Sequence, residues 1–319
     1  MTRRAILLFA TMSVIWGIPY LFIRVAVEEM SPATLVFGRT AIAALVLLPL
    51  ALMRSELRPV LTRWRWVVAF AAVEIGVPWV LLGSAEQHIT SSLAGLLVAG
   101  VPLVGTVIAV ATGGRDRIHA RGVLGLMVGL VGVAAIVGSN LGVSDPTALL
   151  EMVVVVVGYA LGPAILARRL AGQPATGVMA LSVTLSALIY APIAFVQRPE
   201  ALPSPAALAA VAILGVVCTA AAFVLFSMLI GEIGPVRATV ITYINPAVAS
   251  ALGVLVLDET LTPAMVAGLA LVIVGSVLAT GRGARQPGTA DTPEPEPLPE
   301  APAGEPLVGG ADGLSGLAD

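Results

Sequence analysis

The sequence predicts an all-α membrane protein with ten transmembrane helices, arranged as two inverted repeats of five helices. Three observations lead to this fold class. Of the 319 residues, 58% are hydrophobic and only 11% are charged, whereas soluble domains carry roughly 25% charged residues. The apolar residues form blocks that are long enough to cross a bilayer. The sequence also resembles itself when it is shifted by 144 residues.

Ten apolar segments make up most of the chain. A helix needs about 20 predominantly apolar residues to cross a hydrocarbon core of roughly 30 Å. By that criterion the spans, numbered 1 to 10, are residues 5–27, 32–53, 66–83, 89–112, 119–139, 147–168, 175–196, 205–230, 235–257 and 262–280.

The arginines predict how the spans are oriented. The predicted outer loops carry only Arg198, and Trp64 and Trp66 suit the inner membrane interface. Basic residues in short loops face the cytoplasm, so we expect a multi-pass protein of the cytoplasmic membrane with both termini inside. The arginines on the predicted inner side are Arg54, Arg58, Arg63, Arg65, Arg115, Arg117, Arg121, Arg168, Arg169, Arg237, Arg282 and Arg285.

Rare residue types recur at the 144-residue spacing, and the same shift places Cys218 opposite Glu74. Five spans per half is an odd number, so the second half enters the membrane upside down. We expect residues 1–144 and 145–281 to form the two repeats, an arrangement typical of secondary transporters. Residues 282–319 are rich in Pro, Gly and acids, which predicts a disordered cytoplasmic tail. The matched pairs are Pro19 and Pro163, Arg24 and Arg168, and Pro102 and Pro246.

Two prolines near the membrane midplane indicate a substrate site. Pro102 and Pro246 lie at corresponding places in spans 4 and 9, and proline interrupts the hydrogen bonding of a helix. Discontinuous helices at matching positions in two repeats point to the binding site of a transporter. We expect Thr242, Tyr243 and Asn245 to line this site. The alternative is a simple kink that serves packing.

Two charged residues lie deep in the predicted spans, Glu74 in span 3 and Arg39 in span 2. Charges inside a membrane are costly and commonly mark transport pathways. Glu74 has three interpretations: an ion pair with Arg39, a proton-coupling carboxylate, or a cation-binding or packing group. Arg39 either forms a structural pair or contacts a substrate anion. Trp16 and Tyr20 of span 1 are further candidates to line the cavity, with packing as the alternative.

The composition excludes several functions. All 17 basic residues are arginines, and a Walker A loop or a retinal-type Schiff base requires lysine. His88, His119 and the single Cys218 form no ligand cluster, so we expect no metal, no cofactor and no enzyme activity. The expected partners are a small-molecule substrate, the lipid bilayer and protons as a candidate coupling ion, and no nucleic acid. The motif GLMVG at residues 125–129 predicts close helix packing, with a homodimer as the alternative.

Four segments carry a family resemblance: IWG at 15–17, SPATLVFGRTAIAAL at 31–45, EQHITSSLAGLLVAGVPL at 86–103, and IGPVRATVITYINPAVASALGVLVLDETLTPAMVAGLALVIVG at 233–275. With them, the chain resembles the ten-helix EamA-type exporters of the drug/metabolite transporter superfamily. The resemblance implies a cavity between the repeats and export of amino acids, related metabolites or toxic compounds.

The sequence thus favours a secondary-active exporter of small metabolites that works by alternating access, with proton antiport as an option. The alternative is a non-transporting membrane scaffold or sensor that signals through the acidic tail.

Overall fold

The computed structural model describes residues 2–111, 120–139, 145–234 and 238–280, and within these ranges the chain is helical without β-strands. Nine helices in these ranges are long and apolar enough to cross a membrane, and a tenth, Pro263–Ala279, is apolar but shorter. The predicted all-α membrane fold is therefore confirmed. The predicted tail lies outside the described residues. Spans 1 to 9 are Arg3–Val27, Pro32–Met53, Trp64–Ala85, Ser91–Ile108, Arg121–Gly138, Pro146–Arg169, Ala175–Val196, Pro205–Ile233 and Val240–Leu257.

Local sequence determines where many spans begin. Thr2, Ser31, Thr90, Asp145 and Ser204 each precede a helix, and each side chain accepts a hydrogen bond from a backbone N–H of the first turn. Such caps satisfy amide groups that have no partner within the helix. Proline directly follows the capping serine or aspartate of spans 2, 6 and 8, where its missing N–H costs nothing.

Three spans are interrupted, each at a proline. Span 1 consists of helices Arg3–Ile15 and Pro19–Val27, and span 4 of Ser91–Val98 and Val101–Ala111. Span 9 begins with the 3-10 turn Thr239–Tyr243 and continues as Asn245–Leu257. Pro19, Pro102 and Pro246 lie in the first two positions of the helix that follows each break, where proline is tolerated. The breaks of spans 4 and 9 were predicted, whereas the break of span 1 was not.

Spans 3 and 8 each contain a π-helical segment, Ala71–Gly76 and Val216–Ala221. π-segments are rare and occur frequently at functional sites. The two segments occupy equivalent places in the repeats. They lie 145 residues apart, one residue more than the shift of 144 that aligns the repeats in the sequence. Glu74 is therefore equivalent to Thr219 and not to its neighbour Cys218. The π-segment begins 7 residues after the first residue of span 3 but 11 residues after the first residue of span 8.

Equivalent spans of the two halves pack against each other in opposite directions. At the start of span 2, the Thr34 hydroxyl donates to the carbonyl of Gln197 at the end of span 7. At the other end, Gly177 at the start of span 7 lies against the carbonyl of Glu56, just beyond span 2. Spans 2 and 7 are thus antiparallel, as an inverted repeat requires.

Spans 5 and 10 cross through glycines. Gly125 lies against the backbone at Gly275, and Gly132 lies against the carbonyl of Gly268, so these two equivalent spans are also antiparallel. A methyl group at any of these glycines would overlap the backbone of the facing span. Small residues allow this close approach of helices. The glycines of the GLMVG motif therefore serve packing within the chain.

The remaining spans also pair across the repeats: span 1 with span 8, span 3 with span 6, and span 4 with span 9. In the pair of spans 4 and 9, Gly95 lies against Ala249. About one helical turn away along both spans, the Ser92 hydroxyl lies against Gly253. Extending this antiparallel register places the breaks of spans 4 and 9 at the same depth. The interface between the repeats thus contains the interrupted helices.

A buried arginine between the two repeats

Arg39 lies at the interface between the repeats and is only 7% exposed. Its Nε donates a hydrogen bond to the Thr219 hydroxyl at 2.9 Å, and its guanidinium carbon lies 3.6 Å from the centre of the Trp79 ring. Arg39 comes from span 2 and Trp79 from span 3, whereas Thr219 belongs to span 8 of the second repeat. A cation of the first repeat is therefore held in part by the second.

The π-segment of span 8 positions Thr219 for this contact. The Thr219 hydroxyl donates to the carbonyl of Leu214, five residues earlier, at 2.8 Å. A hydroxyl has one proton to donate and two lone pairs that accept. With its proton committed to Leu214, the oxygen is oriented to accept the Nε–H of Arg39.

The other groups around the guanidinium carry no opposite charge at neutral pH. Tyr20 of span 1, Tyr159 of span 6 and Cys218 of span 8 lie within electrostatic range of Arg39. Among the described residues, no carboxylate lies within ion-pair distance of it. Its Nη atoms form no hydrogen bond to any described residue. Arginine stays charged under ordinary conditions, and its planar fork matches a carboxylate. The arrangement is thus able to bind an anionic group.

Glu74 lies in the π-segment of span 3 and is half-buried. Its Oε2 atom is fully buried and has no hydrogen-bond partner in the described part of the protein. The carboxylate lies against Gly162 of span 6, where a Cβ atom would overlap it. The structure contains no ion pair between Glu74 and Arg39. Tyr159 lies within electrostatic range of both charges.

Trp16 lies at the break of span 1 and packs on aromatic rings of span 8. Its ring centre is 4.6 Å from that of Phe226, and it meets Phe223 edge-on at 6.1 Å. Trp16 is half-buried. In this structure its contacts are those of a packed side chain.

Asn245 joins the breaks of spans 1 and 9. With its amide oriented by the surrounding acceptors, its nitrogen donates to the carbonyl of Ser13 at 3.1 Å and to that of Ile241 at 2.9 Å. In a continuous helix the Gly17 amide would bond to Ser13, but here it bonds to Val14 at 2.8 Å. The break thus frees a carbonyl that the other repeat satisfies.

The other predicted residues lie at the breaks of spans 4 and 9. Thr242 and Tyr243 are half-buried in the 3-10 turn, and Pro246 is buried after it. Pro102 is partly exposed, and as a proline it has no amide hydrogen to donate to the carbonyl of Val98, four residues earlier. The structure therefore groups Tyr20 with Arg39, and Trp16 with Asn245. It leaves Glu74 separate from both groups.

Glu86 is a residue that sequence reasoning missed. It is 0% exposed, and neither carboxylate oxygen has a hydrogen-bond partner in the described part of the chain. Its backbone carbonyl accepts a hydrogen bond from Arg24. Burial, and to a lesser extent the nearby carboxylate of Glu259, raise the pKa of Glu86 well above its usual range, although Arg24 opposes this shift.

Glu259, in the connection between spans 9 and 10, forms a cap between the repeats. Its two oxygens accept hydrogen bonds from the backbone amides of Ser91 and Ser92, at 2.8 and 2.9 Å, at the start of span 4. A carboxylate at a helix N-terminus is favourable because it satisfies free amides there. Both glutamates lie within motifs that the family resemblance highlighted. Their loop positions, however, suggested solvated side chains.

The described residues offer no group of three His, Cys, Asp or Glu side chains that could hold a metal ion.

Comparison with known proteins shows which proteins this chain is similar to. The model of the EamA-like transporter family matches the chain twice, at residues 3–138 and 146–281. The protein named "Uncharacterized inner membrane transporter YedA" from Escherichia coli K12 is 28% identical over 275 residues, which cover 84% of this chain and 87% of that protein. The protein of the same name from Escherichia coli O157:H7 gives the same values.

A solved structure shares the fold. It is 23% identical, with a TM-score of 0.62, and the match covers 88% of this chain and 97% of that one. The two family matches together span most of the described helices, as the sequence motifs predicted. The chain therefore belongs to the EamA-like transporter family.

Proposed function

We propose that this protein is a secondary-active transporter that exports small carboxylate-bearing metabolites, such as amino acids, by alternating access. The observation that carries the proposal is the guanidinium of Arg39, which is buried between the repeats without a carboxylate partner among the described residues. The name of the relative YedA supports a location in the inner membrane. The distribution of arginines supports cytoplasmic termini.

The pairing of the spans supports alternating access. Two inverted repeats can adopt two related arrangements, each open to one side of the membrane. The contacts that join the interrupted helices run across the repeats, as between Asn245 of span 9 and Ser13 of span 1. A rocking motion of one repeat against the other would change these contacts and the surroundings of Arg39 together.

The surroundings of Arg39 favour a carboxylate as the substrate group. A charge-assisted hydrogen bond to a carboxylate is stronger than the bond to a neutral hydroxyl such as that of Thr219. A bound substrate anion would neutralise the buried cation while it crosses. Tyr20 and Tyr159 provide ring surfaces and hydroxyl groups beside it.

Proton antiport through Glu74 extends the proposal. A carboxyl group alternates between a charged and a neutral form, as in the proton relays of transporters, whereas arginine does not. Glu74 lies in a π-segment with an unpartnered buried oxygen, and Tyr159 lies within electrostatic range of both Glu74 and Arg39. Tyr159 is therefore the side chain through which we expect a substrate at Arg39 and a proton at Glu74 to influence each other.

The test is exchange in proteoliposomes with radiolabelled amino acids, each paired with the amine that lacks its carboxyl group. We expect exchange of at least one amino acid but not of its amine. Glu74→Gln should retain exchange and lose its response to a pH gradient, while the exposed control Glu200→Gln should keep both. Equal exchange of the amines, or no flux of any compound in either direction, would contradict the proposal.

The acidic tail is not required for transport under this proposal, because residues 282–319 lie outside both regions that match the family. A chain that ends at residue 284 should exchange substrate at the rate of the full chain. Loss of function in that truncated protein, with insertion unchanged, would favour the scaffold alternative instead.

A further inference from the structure

A shallow depression of about 480 Å³ lies where span 3 begins. Its lining consists of Thr62, Arg63, Trp64, Arg65 and Trp66. None of the predicted transport residues contributes to it. Because span 3 starts at Trp64, the depression lies at the level where the chain enters the membrane.

The depression lies within a cluster of exposed arginines that have no described counter-charge. Arg54, Arg58, Arg63, Arg65 and Arg169 are all exposed. No described carboxylate lies within ion-pair distance of any of them. Residues 54–66 include one acidic residue, Glu56. It is half-buried, and its backbone carbonyl lies against Gly177 of span 7. The local charge is therefore strongly positive.

Two tryptophans give the depression an apolar wall. Trp64 is 56% exposed, and the guanidinium of Arg65 lies 5.6 Å from the centre of its ring. The guanidinium of Arg169 lies 4.5 Å from the ring centre of Trp66. Tryptophan is enriched at the level of lipid headgroups, where the ring is apolar and the N–H meets water. Rings and guanidinium groups thus lie together at headgroup depth.

We propose that this depression is a binding site for the headgroup phosphate of an anionic phospholipid. Guanidinium groups bind phosphate with two parallel hydrogen bonds, and basic pockets at the membrane surface hold anionic headgroups. The glycerol and the upper acyl chain would pack against Trp64. A free phosphate ion would leave the exposed part of this ring uncovered, which favours the lipid as the source of the phosphate.

The position of Arg169 gives the site a further property. Arg169 follows span 6 of the second repeat, whereas Trp66 belongs to span 3 of the first. The wall that Trp66 forms is therefore in contact with the second repeat. At the opposite end of the molecule the described arginines form no matching cluster. Arg198 lies 5.1 Å from the ring centre of Phe195, and Arg24 contacts Glu28 and the backbone carbonyl of Glu86.

The test uses the full chain, purified in dodecyl maltoside, with lipid retention measured by native mass spectrometry. We expect the wild-type protein to retain phosphatidylglycerol and to retain phosphatidylcholine far less. Arg63→Gln/Arg65→Gln should bind phosphatidylglycerol about 25-fold more weakly, since each arginine near an anionic surface contributes roughly five-fold. The control is Arg198→Gln. It removes an arginine that also lies beside an aromatic ring, but at the other end of the molecule, so this variant should bind phosphatidylglycerol like the wild type.

Three results would overturn the proposal. The first is equal retention of phosphatidylglycerol and phosphatidylcholine by the wild-type protein, which needs no variant and so does not depend on variant folding. The second is unchanged retention by the double variant. The third is displacement of phosphatidylglycerol by an equal concentration of glycerol 3-phosphate, which would identify a site for free phosphate esters. Transport activity does not enter any of these measurements, so they are independent of the proposed function.

Discussion

Replacement of Arg39 by glutamine tests whether this arginine binds substrate or only stabilises the fold. In the wild-type protein the guanidinium is buried, bonds to the hydroxyl of Thr219 and packs on Trp79. Glutamine has a shorter neutral side chain that still offers an amide to a hydroxyl. The variant therefore removes the charge and the ring contact but introduces no new bulk.

The expected change in stability is small because opposing contributions nearly cancel. Loss of a hydrogen bond to a charged group costs about 1.5–3 kcal/mol, and loss of a desolvated cation–π contact costs about 2 kcal/mol. Removal of an unpaired buried ion recovers a desolvation penalty of several kcal/mol. The free energy of unfolding should therefore stay within about 2 kcal/mol of the wild-type value, with either sign.

The expected change in transport is large. A charge-assisted hydrogen bond between Arg39 and a substrate carboxylate contributes about 1.5–3 kcal/mol, which corresponds to roughly a 10- to 150-fold loss of apparent affinity. The measurements are thermal unfolding in detergent and the concentration dependence of exchange in proteoliposomes. Arg198→Gln, an exposed arginine in a loop, serves as the control and should change neither quantity.

Two outcomes would refute this reasoning. If Arg39→Gln lost about 3–5 kcal/mol of stability, as happens when one partner of a buried ion pair is removed, Arg39 would be a structural cation. If it exchanged amino acids with the wild-type affinity, the substrate carboxylate would bind elsewhere.

Three further variants test other contacts. Gly162→Ala would place a methyl group on the carboxylate of Glu74, and should lower stability by about 1–3 kcal/mol and alter the pH dependence of exchange; Gly105→Ala, where a methyl group meets no atom within 4 Å, should do neither. Asn245→Ala leaves two carbonyls of interrupted helices without their side-chain donor and should lower stability by about 1–3 kcal/mol; unchanged thermal unfolding would show that water replaces the amide. The third variant is Glu86→Gln. Because the pKa of Glu86 is raised above its ordinary 4.5, the folded protein binds this proton more tightly than the unfolded chain, so stability should fall as pH rises above about 4.5. Glu86→Gln should flatten that decline in thermal unfolding, and an identical pH profile would contradict the assignment.

Much of the fold follows from features that the sequence shows directly. Span lengths come from apolar blocks, and the breaks at Pro102 and Pro246 follow from the missing amide of proline. The GLMVG motif of span 5 predicted a close helix contact, and its glycines, Gly125 and Gly129, lie against Gly275 of span 10. These features depend on residue type and local spacing.

The site was harder to predict because its contacts join distant parts of the chain. The partner of Arg39 is Thr219, 180 residues away, and a π-segment without a local sequence signature orients it. Glu86 resembles a solvated loop residue until tertiary packing buries it beside Glu259. The break of span 1 was missed because Pro19 alone does not reveal that Ser13 finds a new donor in the other repeat.

The pairing of every span with a span of the other half has a consequence for assembly. The described helices up to residue 280 form one compact unit and do not separate into two halves. Each repeat alone would present the faces that now meet its counterpart, including the bare glycine backbones of spans 5 and 10. We therefore expect neither half to fold on its own. The molecule is in effect a heterodimer whose subunits share one peptide chain, and this covalent connection keeps their effective concentration high.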